Sequence, residues 1–287
     1  MRIKKAKHKV KTDLKNGKSK YAIDTAPDDP KLPGLFVFCG SRGSGKTYAC
    51  VAMVKHFEKM HYINRTFLIC PTKQSNDIFS NLKTLDHKKD VCDDVNKCKL
   101  SLENVLKEIK KDWKKYEEDL LYLKIYVSWM QGPKATVPYT HQMILESRNF
   151  EMPKKPVKPS HMLICDDCQG INMYSNARCD LMNHIAIKSR HIPVTVAFMV
   201  QSWHGLPRVI RLNATQFMVF KTRDKKQLHQ IYEHFGTNVD EDTFNKVYEH
   251  AVSKPHGFLY IDTEPKEEGM RFRSGFNEFI DVNKKSL

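Results

Sequence analysis

The chain has 287 residues, 48 Lys and Arg against 33 Asp and Glu, and a formal charge of +15 at pH 7. With 40% hydrophobic residues it can bury a core, as one large α/β domain with insertions or as two small ones. The charge argues against an enzyme acting alone on a small neutral substrate; it points to a phosphate-rich partner, nucleic acid or an anionic membrane surface, or else to a plain basic surface.

Residues 1–20 hold nine Lys or Arg and one Asp, so +8 of the +15 sits there. Such a run stays solvated and is expected to be disordered. It reads equally as a nucleic-acid arm, a solubilising tail or a localisation signal, and it lacks the apolar stretch of a secretory signal. We assign residues 1–30 to this basic arm and its continuation. No run of about 18 apolar residues occurs, which predicts no membrane insertion.

Residues 21–34, YAIDTAPDDPKLPG, read as an extended lead-in because of their three prolines. Leu35–Cys39 is a short apolar run and predicts a buried strand. It leads into GSRGSGKT, residues 40–47, which fits G-x-x-x-x-G-K-[ST]. The next residues suit a helix over 47–60. Strand, glycine-rich loop and helix together predict a nucleotide phosphate cradle. Its residues are Gly40, Ser41, Arg42, Gly43, Ser44, Gly45, Lys46, Thr47 and Tyr48. Backbone N–H groups and the helix N-terminus attract phosphate, Lys46 reaches the β- and γ-phosphates, and the Thr47 hydroxyl ligates Mg²⁺.

Residues 65–70, RTFLIC, predict a second strand stopped by Pro71, and residues 74–82 a helix. Over 84–160 charge rises and strand signals vanish. Leu102, Val105, Leu106, Ile109, Trp113, Tyr116 and Leu120 recur at steps of three and four, the pattern of an amphipathic helix. MPKKPVKPS then excludes regular structure. Residues 84–160 are therefore expected to form a charged helical insertion and linker, splitting a core made of 31–83 and 161–287.

Strands resume with MLIC at 162–165, VTVAFMV at 194–200, QFMVF at 216–220 and a further candidate at 257–261, with a helix predicted over 177–189. Alternating strands and helices predict an α/β fold with a parallel central sheet flanked by helices. The strand 161–165 ends in Asp166 and Asp167. In a nucleotide hydrolase the first holds Mg²⁺ and the second polarises the attacking water; a solvent-exposed acidic turn is the plain alternative. Gln201 comes directly after the apolar strand 194–200, where it either senses the γ-phosphate or simply ends the strand. Arg190, Arg208 and Arg211 surround that strand. Any of them is a candidate for a cation supplied to a neighbouring subunit's phosphate, for a DNA contact, or for a surface residue.

Eight cysteines lie at 39, 50, 70, 92, 98, 165, 168 and 180, several inside apolar runs, as reduced buried thiols do. Cys165 and Cys168 form a lone C-x-x-C, a weak zinc or redox signal whose two intervening aspartates are better explained by the nucleotide site.

In order, GSRGSGKT, FLICPT, HMLICDD, SRHIPVTVAFMVQSWHGLPRVIRLNA and QFMVFKT resemble the virion DNA-packaging ATPases of large DNA viruses, the poxvirus-type branch of the FtsK–HerA superfamily. The resemblance covers roughly residues 33–224. It implies a RecA-like P-loop NTPase core with strand order 5-1-4-3-2, the fourth strand lying between the two Walker strands and Gln201 between Lys46 and Asp166. It implies ATP and Mg²⁺ as cofactors, Asp166 and Asp167 as the Walker B pair, and catalytic roles for Lys46, Gln201 and one of the three arginines. Many superfamily members carry Glu where this chain has Asp167, so the metal role of Asp166 transfers more directly than the base role of Asp167. The implied activity is ATP-driven translocation of double-stranded DNA, without sequence preference, into a capsid. The implied assembly is a homo-oligomeric ring, pentameric or hexameric, working with a capsid or virion protein in the host cytoplasm at the virus factory, and in the virion. Two readings compete: a P-loop kinase, which a phosphoacceptor assay would expose, and an ATP-gated DNA-binding scaffold with little turnover.

Overall fold

A computed structural model describes residues 19–71, 77–94, 98–132, 137–168, 180–188, 191–235 and 239–282. The first strand, β1 (Leu35–Cys39), is LFVFC and is buried at every position. A strand with no polar alternation needs cover on both faces, and the sheet supplies it. Nine strands among the described residues form one sheet in the order β3-β2-β4-β5-β1-β6-β7-β8-β9. They are β1, β2 (Arg65–Ile69), β3 (Val91–Cys92), β4 (His161–Cys165), β5 (Val194–Val200), β6 (Gln216–Phe220), β7 (Phe258–Asp262), β8 (Phe272–Ser274) and β9 (Glu278–Ile280). Counting β1, β2, β4, β5 and β6 as the five strands expected from sequence, their order is 5-1-4-3-2, with β5 between β1 and β4.

The sheet departs from expectation at both ends. β3 lies inside the segment read as strandless and pairs in parallel with β2, Leu68 facing Val91. Two residues are too few to carry a periodic signal. At the other end β6 to β9 run antiparallel, so the sheet is only partly parallel.

Helices cover both faces. On one side α1 (Lys46–Lys59) buries Cys50, Val54 and Phe57 against Phe36, Phe38, Ile164 and Met199. On the other, α4 (Asp180–Lys188), α5 (Arg208–Asn213), α6 (Lys225–Phe235) and α7 (Glu241–Ala251) pack over Val37, Leu163, Val196 and Val219. Asp240 caps α7 by accepting the Thr243 N–H at 2.9 Å. The helix expected over 74–82 is a 3-10 turn at Asp77–Asn81, with 72–76 outside the described residues. For the helix expected over 177–189, residues 180–188 are described and helical.

The amphipathic stripe becomes α2 (Cys98–Gln131), 34 residues long, or about 51 Å at the usual rise. Leu102, Leu106 and Ile109 join the sheet core. The Arg65 guanidinium, held by Asp90 at 2.7 Å, fixes this half of α2 by reaching Asp112 at 3.0 Å and Glu108 at 3.3 Å. Asp112 also meets the Nε2 of buried His161 at 3.0 Å; burial pushes its carboxyl up, and the hydrogen bonds from His161 and Arg65 outweigh this and hold it below the usual range. The far half of α2 leaves the sheet and packs on α3 (Tyr139–Ser147) through Tyr122, Ile125 and Leu145. No helix among the described residues is long and apolar enough to cross a membrane.

Candidate nucleotide-binding site

The carboxyl ends of β4, β5 and β1 lie side by side, and the residues just past each end converge there. The loop after β1 leans on its neighbours at two glycines. A Cβ on Gly40 would stand 2.6 Å from Phe220 Cβ and 2.8 Å from Ser44 Oγ, so only glycine lets the loop leave β1 against β6. The Gly40 N–H donates to the carbonyl of Val200 at 3.1 Å, tying the loop's start to the end of β5. Gly45 precedes α1 with φ 101°, in the left-handed region that favours glycine.

The first turn of α1 carries no acidic residue and no side-chain cap, so its N–H groups and positive dipole end face the loop unneutralised. Lys46 opens that turn and is buried. Its Nζ donates to the carbonyls of Gly40 at 2.7 Å and Ser41 at 2.9 Å, folding the ammonium over the loop. Burial lowers the Lys46 pKa, while Asp167 and Asp166 favour its charged form.

Asp166 comes directly after β4 and is 3% exposed. Its N–H donates to Ile69 at the end of β2, at 2.9 Å. Its Oδ2 accepts the Thr47 hydroxyl at 3.4 Å. Burial, and then the neighbouring Asp167, push the Asp166 carboxyl up to about 6, against Lys46 and Thr47. Asp167 follows with φ 50°, and its Oδ1 accepts Gln201 Nε2, just past the end of β5, at 3.3 Å. The backbone just beyond Gln201 is anchored at Trp203. That residue is buried, and its N–H donates to Gln227 Oε1 on α6 at 2.9 Å.

Lys46, Thr47, Asp166, Asp167 and Gln201 thus form one connected group. Ser41, Arg42 and Tyr48 are exposed around the loop, Tyr48 at 72%. Among the described residues, Arg208 and Arg211 make no hydrogen bond or ion pair with the group. Arg208 is exposed at the start of α5. Arg211 is half-buried with its guanidinium 5.2 Å from the Trp203 ring, and burial lowers its pKa. Arg190 lies outside the described residues. Cys168 is buried, its thiol directed at the carbonyls of Asp166 and Ile69. Among the described residues no group of three His, Cys, Asp or Glu could hold a metal ion.

One residue that sequence reasoning missed also reaches the loop. His256, in the turn between α7 and β7, places Nδ1 3.3 Å from the Ser44 carbonyl.

The chain matches no family model and no curated protein. Among solved structures it is similar to B204, the DNA-packaging ATPase from Sulfolobus turreted icosahedral virus, at 16% identity and TM-score 0.49, over 82% of this chain and 93% of that one. The genome packaging NTPase B204 from Sulfolobus turreted icosahedral virus 2, in complex with ATP-gammaS, matches at 16% identity and TM-score 0.45, over 82% and 94%. EssC (ATPases 2 and 3) from Geobacillus thermodenitrificans matches at 12% identity and TM-score 0.46, over 81% of this chain and 38% of that one. By its strand order and the geometry of residues 40–47, the chain has a RecA-like α/β core with a glycine-rich loop between β1 and α1.

Proposed function

We propose that the chain is an ATP-hydrolysing motor of the FtsK–HerA superfamily that moves double-stranded DNA, and that its cargo is a viral genome entering a capsid. The observation that carries this reading is the contact of Gln201 with Asp167, which places a strand-end amide beside the acidic pair and the phosphate loop. A kinase needs phosphate binding but not this third element. The motor reading uses it to link the γ-phosphate's presence to β5 and to the α5–α6 layer behind it.

Thr47 and Asp166 fit Mg²⁺: both offer hard oxygens, 3.4 Å apart, and Asp166 is a buried carboxylate that a cation would favour in ionised form. The ion would neutralise charge on the phosphates. Lys46 withdraws from the Gly40 and Ser41 carbonyls to bind phosphate oxygens. Asp167 orients the attacking water, and Gln201 holds Asp167 until that water and the γ-phosphate compete for it. The charge of +15, with +8 in residues 1–20, supports binding to the DNA backbone. A homo-oligomeric ring, with Arg208 as the better exposed candidate for a neighbour's phosphate, completes the reading; a capsid or virion protein would dock it.

Steady-state ATP hydrolysis with and without long double-stranded DNA tests it. DNA is expected to raise the rate several-fold. Gln201→Ala is expected to lose most of that rate while retaining nucleotide binding. The stimulation should fade as salt rises from about 50 to about 200 mM, because backbone contacts release counterions. Nucleotide binding without turnover, in DNA at low salt, would favour the ATP-gated scaffold instead. Transfer of phosphate to a small acceptor would favour the kinase.

A further inference from the structure

The motif pattern ends near residue 224, yet the chain beyond it touches the phosphate loop. The turn between α7 and β7 closes through the Gly257 N–H, which donates to the Lys254 carbonyl at 3.0 Å. It closes on glycine because a Cβ at 257 would stand 2.6 Å from the Ala251 carbonyl oxygen. This places His256 at φ 58°, a left-handed conformation that costs a non-glycine residue about 1–2 kcal/mol. The strain is held by α7, whose Phe244, Val247 and Tyr248 are buried in the core. Its yield is contact with the loop: Nδ1 lies 3.3 Å from the Ser44 carbonyl, and a Cβ on Gly45 would meet the His256 Cβ at 3.1 Å.

We propose that His256 is a positioning residue for nucleotide binding, acting through the peptide between Ser44 and Gly45. For a hydrogen bond to that carbonyl, Nδ1 carries the proton. The carbonyl of Ser44 and the N–H of Gly45 share one trans peptide plane and point in opposite directions. Holding the carbonyl towards the α7–β7 turn therefore aims the Gly45 N–H away from it, as a ready donor to a phosphate oxygen. The loop is gripped at both ends by the same C-terminal layer. Gly40 rests against Phe220, whose own carbonyl accepts the Tyr248 hydroxyl from α7 at 3.2 Å, and Gly45 rests against His256. β6, α7 and the turn after α7 thus preset the cradle, so less ordering free energy is lost when phosphate binds.

This inference rests on the nucleotide-site reading, and the test separates the two. Binding of a fluorescent ATP analogue is measured on the full chain for the native sequence, Lys46→Ala, His256→Gly and His256→Asn, with thermal melts alongside. Glycine keeps the left-handed turn but has no donor. Asparagine tolerates the turn and offers an amide N–H. His256→Gly is expected to weaken binding about tenfold and His256→Asn to stay within about twofold of native, the scale of one hydrogen bond. The positioning role is overturned if the glycine variant binds as native does, or if asparagine loses as much as glycine. A native chain that binds no better than Lys46→Ala would instead overturn the nucleotide site itself, and His256's role with it.

Discussion

Replacing Lys46 by alanine is expected to reduce ATP turnover by at least about 10²-fold, the scale seen when one preorganised charge-stabilising donor is removed. Lys46 is the cation buried beside the loop and the two carboxylates, with its ammonium already committed to the carbonyls of Gly40 and Ser41. Alanine removes the charge that transferring phosphoryl oxygens need. It also leaves those two carbonyls without that donor and takes from Asp166 a cation that favours its ionised form. Turnover measured beside a thermal melt separates loss of chemistry from loss of fold. A variant that keeps more than a tenth of native turnover would remove Lys46 from the phosphate site.

Asp166→Asn is expected to abolish turnover and yet to stabilise the protein at pH 8 in a metal chelator. The folded-state carboxyl sits at about 6, above its ordinary 3.8. The folded chain therefore binds this proton more tightly than the unfolded chain does. Stability from this group is complete below the ordinary value and is lost as pH rises through about 6. The loss amounts to about 3 kcal/mol, at 1.36 kcal/mol for each pKa unit. Asparagine carries no charge to bury, so its advantage should be largest at pH 8 and shrink towards pH 4. Denaturation of both chains at the two pH values checks this. Equal stability differences at both would mean that Asp166 is not held in a charge-averse site. Function retained at the cost of a buried unfavourable carboxylate is the stability–activity trade expected where a cation is to be held.

The strands β1, β2, β4, β5 and β6 and the phosphate loop were legible because each of these strands is mostly apolar and the loop's spacing is set by backbone demands. Gly40 must clear Phe220, and Gly45 must turn left-handed. The neighbourhood of Asp167 and Gln201 came from the strand order that the family resemblance implies, since nothing local joins residues 34 apart. β3 was missed because its two residues hold their place by pairing with β2 and not by any pattern of their own. α7 went unread, although Asp240 three residues before Thr243 is a helix-start signal. His256 and Ser44 are 212 residues apart, and a K-P-H-G turn says only that the chain reverses there. Arg211 shows the converse: the sequence offers it for a neighbour's phosphate, a DNA contact or the surface, and its place 5.2 Å from the Trp203 ring becomes visible only in the fold.

Displacement of a labelled third strand from a triplex on long double-stranded DNA tests the motor most directly, because it reads movement along the duplex and not turnover alone. With ATP and Mg²⁺ the native chain is expected to strip the third strand, and the Lys46→Ala chain to leave it in place. DNA-stimulated hydrolysis by the native chain with the third strand still bound would contradict translocation and leave an ATPase that grips DNA without moving it.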